Sequence, residues 1–151
     1  MRYIRTTPND IELKYTETDF PLVFQYIGPN RTHGDGYYDE VKYAWYECLK
    51  ENNDLIYDNG NTLALICVCE NNYFPNSIHL SVLEVIKQYQ NQGIGKTIIT
   101  DFISIAESEG KTSCTLQART VKLKTYYAKL GFNNAKLNKI PIMWRQLYAR
   151  R

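Results

Sequence analysis

The spacing of apolar positions along the chain predicts an ordered succession of strands and helices. Ile11 to Tyr15 reads as a first strand, and a helix-like stretch around Phe20 to Ile27 follows Thr16 or Thr18. His33-Gly34-Asp35-Gly36 is a loop. Asp39 to Glu51 then places Val41, Trp45 and Cys48 or Leu49 on one face of a helix. Leu55 to Tyr57 and the apolar run Thr62 to Cys69 flank Asp58-Asn59-Gly60-Asn61 and predict a hairpin. Past a turn over Asn71 to Asn76, Ile78 to Ile86 is a strand. Gly95 to Glu109 is a helix with a broad apolar face, stopped by Gly110. Ser113 to Ala118 is a strand, Lys122 to Leu130 a helix ended by Gly131, and Ala135 to Asn138 and Ile142 to Leu147 are late strands. The order is mixed α/β. No repeat or linker divides it, so residues 1–151 are expected to form one domain.

Composition narrows the class. With 44% hydrophobic and 23% charged residues, the chain can bury a core and is neither disordered nor fibrous. No apolar run reaches the length of a membrane span, and the start, MRYIRTTPNDIELKY, lacks the apolar stretch of a signal peptide. A cytoplasmic protein with no membrane partner is expected. Cys48, Cys67, Cys69 and Cys114 lack metal-binding spacing and read as buried free thiols, so no metal is expected. The net charge of +2 hides an asymmetry: residues 1–75 hold twelve acidic against six basic side chains, and residues 76–151 four against twelve. The carboxyl half therefore suits an anionic ligand and the amino half a cationic one.

The segment QYQNQGIGKT, residues 88–97, ends like a phosphate-binding P-loop, but the first glycine of that motif falls on Gln90. The dinucleotide pattern fails as well, because Ile98 stands where its third glycine belongs. What remains is a strand exit, a polar turn, two glycines and the start of a long amphipathic helix. Free backbone N–H groups and a positive partial charge make that helix start an anion site.

Gln90-x-x-Gly93-x-Gly95 matches the Gln/Arg-x-x-Gly-x-Gly/Ala signature of the GNAT superfamily of acetyl-coenzyme A-dependent N-acetyltransferases. Some thirty-five residues further on, Tyr126-Tyr127-Ala128-Lys129-Leu130-Gly131-Phe132 resembles that family's second motif. Lys87 departs from a proline common after the strand, and Thr120 from an asparagine common before the second motif. The resemblance implies an α/β (α+β) fold: a twisted, mixed, mostly antiparallel sheet flanked by helices. Its two central parallel strands, here Ile78 to Ile86 and Ser113 to Ala118, would splay around the cofactor arm.

The resemblance also implies acetyl-coenzyme A as cosubstrate, held by Val85, Ile86, Gln90, Asn91, Gln92, Gly93, Ile94, Gly95, Lys96 and Tyr127. The Val85 N–H would bind the thioester carbonyl, and Tyr127 would protonate the departing thiolate. The family's usual base position falls on His79. Glu84 is the other candidate, placed by strand alternation on the face opposite Val85, His79 and Ser81 unless a bulge intervenes, and a water chain is the third. The acceptor is expected to be a cationic primary amine, such as a small amine, an aminosugar or a lysine side chain, with Tyr26, Tyr37 and Tyr38 as candidate wall residues. A protein amino terminus, a ribosomal protein, or a non-catalytic acyl-coenzyme A sensor are the alternatives. The basic residues read as scattered rather than as a stripe, so no nucleic acid partner is expected. A monomer or homodimer is expected.

Overall fold

A computed structural model describes residues 1–32, 42–50, 62–70, 74–135 and 142–147. Among them are seven strands: β1 (Arg2–Thr6), β2 (Ala44–Leu49), β3 (Thr62–Glu70), β4 (Ser77–Val85), β5 (Ser113–Gln117), β6 (Asn133–Asn134) and β7 (Ile142–Gln146). Three α-helices flank them, α1 (Pro8–Lys14), α2 (Ile94–Ser108) and α3 (Val121–Lys129). The strands make a mixed sheet in the order β1-β2-β3-β4-β5-β7-β6. The residues group into two compact units, Met1–Val68 with Val82–Ile99, and Cys69–Ser81 with Thr100–Arg151.

In the first unit, β2 pairs antiparallel with β1 and with β3. Trp45, Cys48 and Leu65 are buried there, the leucine alone worth about 1.5–3 kcal/mol of transfer free energy. Helix α1 starts at an N-cap, Thr7, whose side-chain oxygen accepts from the Asp10 amide at 3.2 Å, with Pro8 in the first turn. This corrects the strand expected over Ile11 to Tyr15. The helix expected at Phe20 to Ile27 is a 3₁₀ turn, Val23–Gln25. The helix expected over Asp39 to Glu51 is strand β2 where it is described, because β2 is buried on both faces from Glu47 onward and so shows no period of two. The expected hairpin partner Leu55 to Tyr57 lies outside the described residues; β3 instead pairs with β2.

Buried Glu47 accepts a hydrogen bond from Tyr15 Oη at 3.0 Å and faces Lys14 Nζ at 3.4 Å. Burial pushes the Tyr15 phenol up to about 12. The cluster pins α1 to β2 and so braces this side of the unit.

In the second unit β5 is an interior strand. It pairs parallel with β4 from Ser77–Ser113 to Leu80–Leu116, and antiparallel with β7. The parallel ladder ends at Leu80–Leu116, although β4 runs on to Val85 and β5 to Gln117. Cys114 and Leu116 lie on the apolar face of β5, and burial pushes the Cys114 thiol up to about 12. Arg145 on β7 donates to the Leu130 carbonyl at 3.1 Å and faces Glu107 at 3.5 Å, which ties the end of α3 to β7 and to α2.

Candidate active site

The anion-facing part of the site is built where β4 ends. The Ile86 amide donates to the Leu63 carbonyl at 2.9 Å, and the Ile86 carbonyl accepts from the Tyr89 amide at 2.9 Å. These bonds fold Lys87–Tyr89 into a 3₁₀ turn and engage the Ile86 amide inside the protein. Gln90 Nε2 then reaches back to the Val85 carbonyl at 3.1 Å, so the motif glutamine closes the turn on the strand end. The chain reverses through Asn91 and Gly93, at φ of 64° and 81°. Only glycine takes the second without strain. Asn91, Gln92 and Gly93 are exposed.

Helix α2 begins at Ile94, and the Thr97 amide makes the first ladder bond, to the Gly93 carbonyl at 3.1 Å. The amides of Ile94, Gly95 and Lys96 precede that ladder, as in the first turn of any α-helix. No acidic residue occupies this turn, and Lys96 is exposed. A Cβ on Gly93 or Gly95 would meet no atom within 4 Å. For Gly93 the backbone angle accounts for the glycine; for Gly95 the fold supplies no reason, and the open space in front of its Cα is room for a ligand. Open backbone, free amides and a nearby ammonium fit the pyrophosphate of a coenzyme A.

The candidate acid and base lie in the second unit. His79 on β4 faces Thr115 on β5, its register partner, with Nδ1 to Oγ1 at 2.7 Å. Burial lowers the imidazole to about 4, so the ring is neutral across the physiological range. Tyr127 is 7% exposed, and its ring meets Phe132 and Tyr126 edge-on, with centroids 6.1 and 5.5 Å away. Its phenol is raised above the ordinary value by burial first and by Tyr126 second, with Arg119 opposing. The Tyr127 hydroxyl has no hydrogen bond to a described residue. Tyr126 is less buried, and burial raises its phenol too.

Glu84 takes a different position from a free base. Its Oε2 accepts from the Leu22 amide at 2.9 Å and Oε1 from the Val23 amide at 2.8 Å, so the carboxylate caps the 3₁₀ turn Val23–Gln25. Burial raises its pKa while these two bonds oppose the rise. Tyr26 is buried at 5% exposure, part of the core of the first unit rather than an open wall. Tyr37 and Tyr38 lie outside the described residues. Sequence reasoning missed Thr115, since nothing local marks a threonine within a strand as the partner of a histidine 36 residues earlier.

A strand that delivers its end to a glycine turn and a helix start, on a mixed sheet whose central parallel ladder stops short, defines an acyl-coenzyme A-dependent transferase. Residues 37–140, more than half of the chain, match the family profile of the acetyltransferase (GNAT) domain, and the chain belongs to that family of acetyltransferases, which use acetyl-coenzyme A. No curated protein is significantly similar to it in sequence.

Among solved structures, a GNAT-family acetyltransferase of Staphylococcus aureus Mu50 is similar at 19% identity and a TM-score of 0.64, over 97% of this chain and 99% of that one. The AtaT–AtaR assembly bound with acetyl-coenzyme A is similar at 15% and 0.66, over 96% and 92%. AtaT complexed with acetyl-methionyl-tRNAfMet is similar at 16% and 0.54, over 70% and 71%. These likenesses show the fold. They also overturn the expectation of no nucleic acid partner, since proteins of this fold include one bound to tRNA and, with AtaR, to DNA.

Among the described residues no helix is long and apolar enough to cross a membrane, and no group of three or more histidine, cysteine or acidic side chains is placed to hold a metal ion.

Proposed function

We propose that this acetyltransferase moves the acetyl group of acetyl-coenzyme A to a primary amine by direct attack in a ternary complex. The observation that carries the reading is the glycine turn before α2, where two glycines leave open backbone beside free amides and Lys96. When bound, acetyl-coenzyme A supplies an activated thioester. The chain supplies the rest: Gly93, Gly95 and the α2 amides hold the pyrophosphate, and the Val85 N–H polarises the carbonyl. Tyr127, whose phenol has no hydrogen bond to a described residue and is kept protonated by burial, gives a proton to the thiolate. His79, neutral at every working pH, takes one from the amine.

A second reading concerns the acceptor, and a specific observation favours it. The sequence from Gly110 to Arg151 contains no aspartate or glutamate, and α3 exposes Lys122, Lys124 and Lys129. Lysines at 122 and 129 fall on nearly the same side of the helix. A surface of this sign suits an amine carried on a polyanion, of which an aminoacyl-tRNA is one.

One experiment tests both: release of free thiol from acetyl-coenzyme A, followed across small amines, aminosugars, peptides and aminoacyl-tRNA. Salt-sensitive turnover on aminoacyl-tRNA, weakened by Lys122→Glu with Lys129→Glu, is expected for the second reading. Turnover only on small amines, indifferent to those changes, removes it. Cofactor binding without thiol release from any acceptor removes the first.

A further inference from the structure

Trp144 shares a row with the candidate base although it lies two strands away. His79 on β4 opposes Thr115 on β5, and Thr115 opposes Trp144 on β7, so the three side chains lie on one face of the second unit. The opposite face belongs to the helices. Arg145, the next residue of β7, points there by strand alternation, donates to the Leu130 carbonyl at the end of α3 and faces Glu107 on α2. A neighbouring ring steadies the indole: Phe74 stacks on Trp144 with centroids 6.3 Å apart and planes 22° from parallel. Phe74 belongs to the chain entering β4, which the bond from the Thr112 amide to the Asn76 carbonyl, at 3.0 Å, fastens beside β5. Trp144 comes from β7, so the pair spans β5 on the side of Ser113 and Thr115, which are 8% and 0% exposed. Both rings are only half-buried. Trp45, the chain's other tryptophan, is 1% exposed in the core of the first unit, whereas Trp144 leaves part of its indole open.

The chemistry of this face limits what can lie on that indole. From Ser77 to Ser81 on β4, and along β5 and β7, its positions carry hydroxyls, amides, Ile142 and the imidazole, with no carboxylate, ammonium or guanidinium. A second charged group on the acceptor would lose water there and gain no ionic partner. A flat, uncharged ring gains both burial and stacking. Neighbouring strands lie about 4.8 Å apart, so the Cα atoms of His79 and Trp144 are separated by roughly 10 Å. The side chains close much of that distance. An amine at the imidazole, tethered by about two or three carbons to a ring, therefore brings the ring onto the indole.

We propose that Trp144 sets acceptor specificity: its indole, backed by Phe74, takes a flat, uncharged ring carried on a short tether from the reacting amine, which makes an arylalkylamine the acceptor class. The inference rests on the reading of this chain as an amine acetyltransferase with His79 beside the amine. It adds a wall that Tyr26, buried in the first unit, does not supply.

The test follows thiol release from acetyl-coenzyme A with phenethylamine and n-hexylamine, primary amines of similar reach of which only the first carries a ring. In the parent protein, phenethylamine should show a KM about tenfold or more lower. Trp144→Leu keeps apolar bulk and loses the flat face; it should remove that preference by raising the KM for phenethylamine, with kcat at saturation and the KM for acetyl-coenzyme A unchanged. Trp144→Phe should keep most of the preference. Equal KM for the two amines in the parent overturns the proposal, and that comparison needs no variant. A leucine variant that keeps the preference, or that loses kcat on both amines alike, overturns it too, as does thiol release confined to aminoacyl-tRNA. Docking of the ring is also read without turnover. With coenzyme A bound, phenethylamine should shift the Trp144 emission saturably to shorter wavelength, and the shift should be missing from Trp144→Phe, in which only buried Trp45 emits. If no amine releases thiol but the shift is present, the amine-transfer reading falls and the ring platform stands; if both are absent, both fall.

Discussion

The substitution Gly95→Glu separates a glycine kept for folding from one kept for a ligand. Gly95 is the second residue of α2, its φ is not positive, and an added Cβ meets nothing within 4 Å. Replacing a helical glycine by a helix former should stabilise the fold by up to about 0.5–1 kcal/mol, or ~1–4 °C in Tm for a protein of this size. Alanine, which the family signature admits at this position, leaves room for a phosphate; glutamate puts bulk and a negative charge where the phosphate must approach the backbone. A tenfold or greater loss of coenzyme A affinity, about 1.4 kcal/mol or more, is therefore expected alongside the gain in stability. Gly93→Ala provides the contrast. At a φ of 81° an alanine costs about 1–2 kcal/mol, so this variant should lose both stability and affinity. Thermal unfolding and calorimetric titration with coenzyme A give the two signs independently. If Gly95→Glu binds coenzyme A normally, the pyrophosphate does not lie at this helix start; if it lowers Tm, the space in front of Gly95 is not open.

Other outcomes follow from the same geometry. Tyr127→Phe should reduce kcat about tenfold or more with little change in Tm, because the hydroxyl has no hydrogen bond to a described residue to lose, while Tyr126→Phe should turn over normally. His79 sits at about 4 in the folded state against 6.5 for an imidazole in water, so the unfolded chain binds more protons between those values. Stability should fall as pH drops through that window, by at most on the order of 3 kcal/mol, and His79→Asn should flatten the fall in denaturant titrations at stepped pH. Glu84→Gln should cost about 1 kcal/mol at neutral pH and leave kcat intact. The amide keeps one acceptor for Leu22 or Val23, and it avoids the burial penalty that the folded state incurs as pH rises through the raised carboxyl pKa. Ser77→Ala should be neutral or stabilising in the same unfolding assay, since Ser77 Oγ is buried without a hydrogen-bond partner among the described residues.

Most of the carboxyl half of the fold was legible because its longer elements advertise themselves locally; β6 (Asn133–Asn134) instead precedes the strand expected over Ala135 to Asn138, of which residues 136–138 lie outside the described residues. Helix α2 carries its apolar residues at helical spacing and runs to Ser108, and β5, α3 and β7 fall within a residue or so of their expected bounds. The amino half misled for two different physical reasons. The apparent alternation of Ile11, Leu13 and Tyr15 is incidental: Leu13 is 84% exposed, and the Thr7–Pro8 start was the better signal. In β2 the opposite happens, because burial of Glu47, Cys48 and Leu49 in succession erases any strand period and leaves Trp45 with Cys48 or Leu49 to imitate a helix face. A strand covered on both sides cannot be recognised by alternation.

The site divides along the same line between local and tertiary constraint. Gln90 and Gly93 could be read because a tight turn into a helix imposes residue types on consecutive positions, and Gly95 because it completes the family signature. The chemistry of His79 could not, because its proton affinity is set by burial and its orientation by Thr115 on another strand. An ordinary pKa of about 6.5 suggests an acidic limb near neutrality. With the ring lowered to about 4, that limb belongs well below the working range, and a base this weak cannot strip a free ammonium; it can take the proton of an amine that arrives neutral and whose N–H becomes acidic as the bond to the acetyl carbon forms. A kcat flat from about 5 to 7 and lost in His79→Ala is the pattern that this timing requires. A limb near 6.5 that vanishes with His79 would mean instead that the ring titrates as it does in water, and that burial does nothing to it.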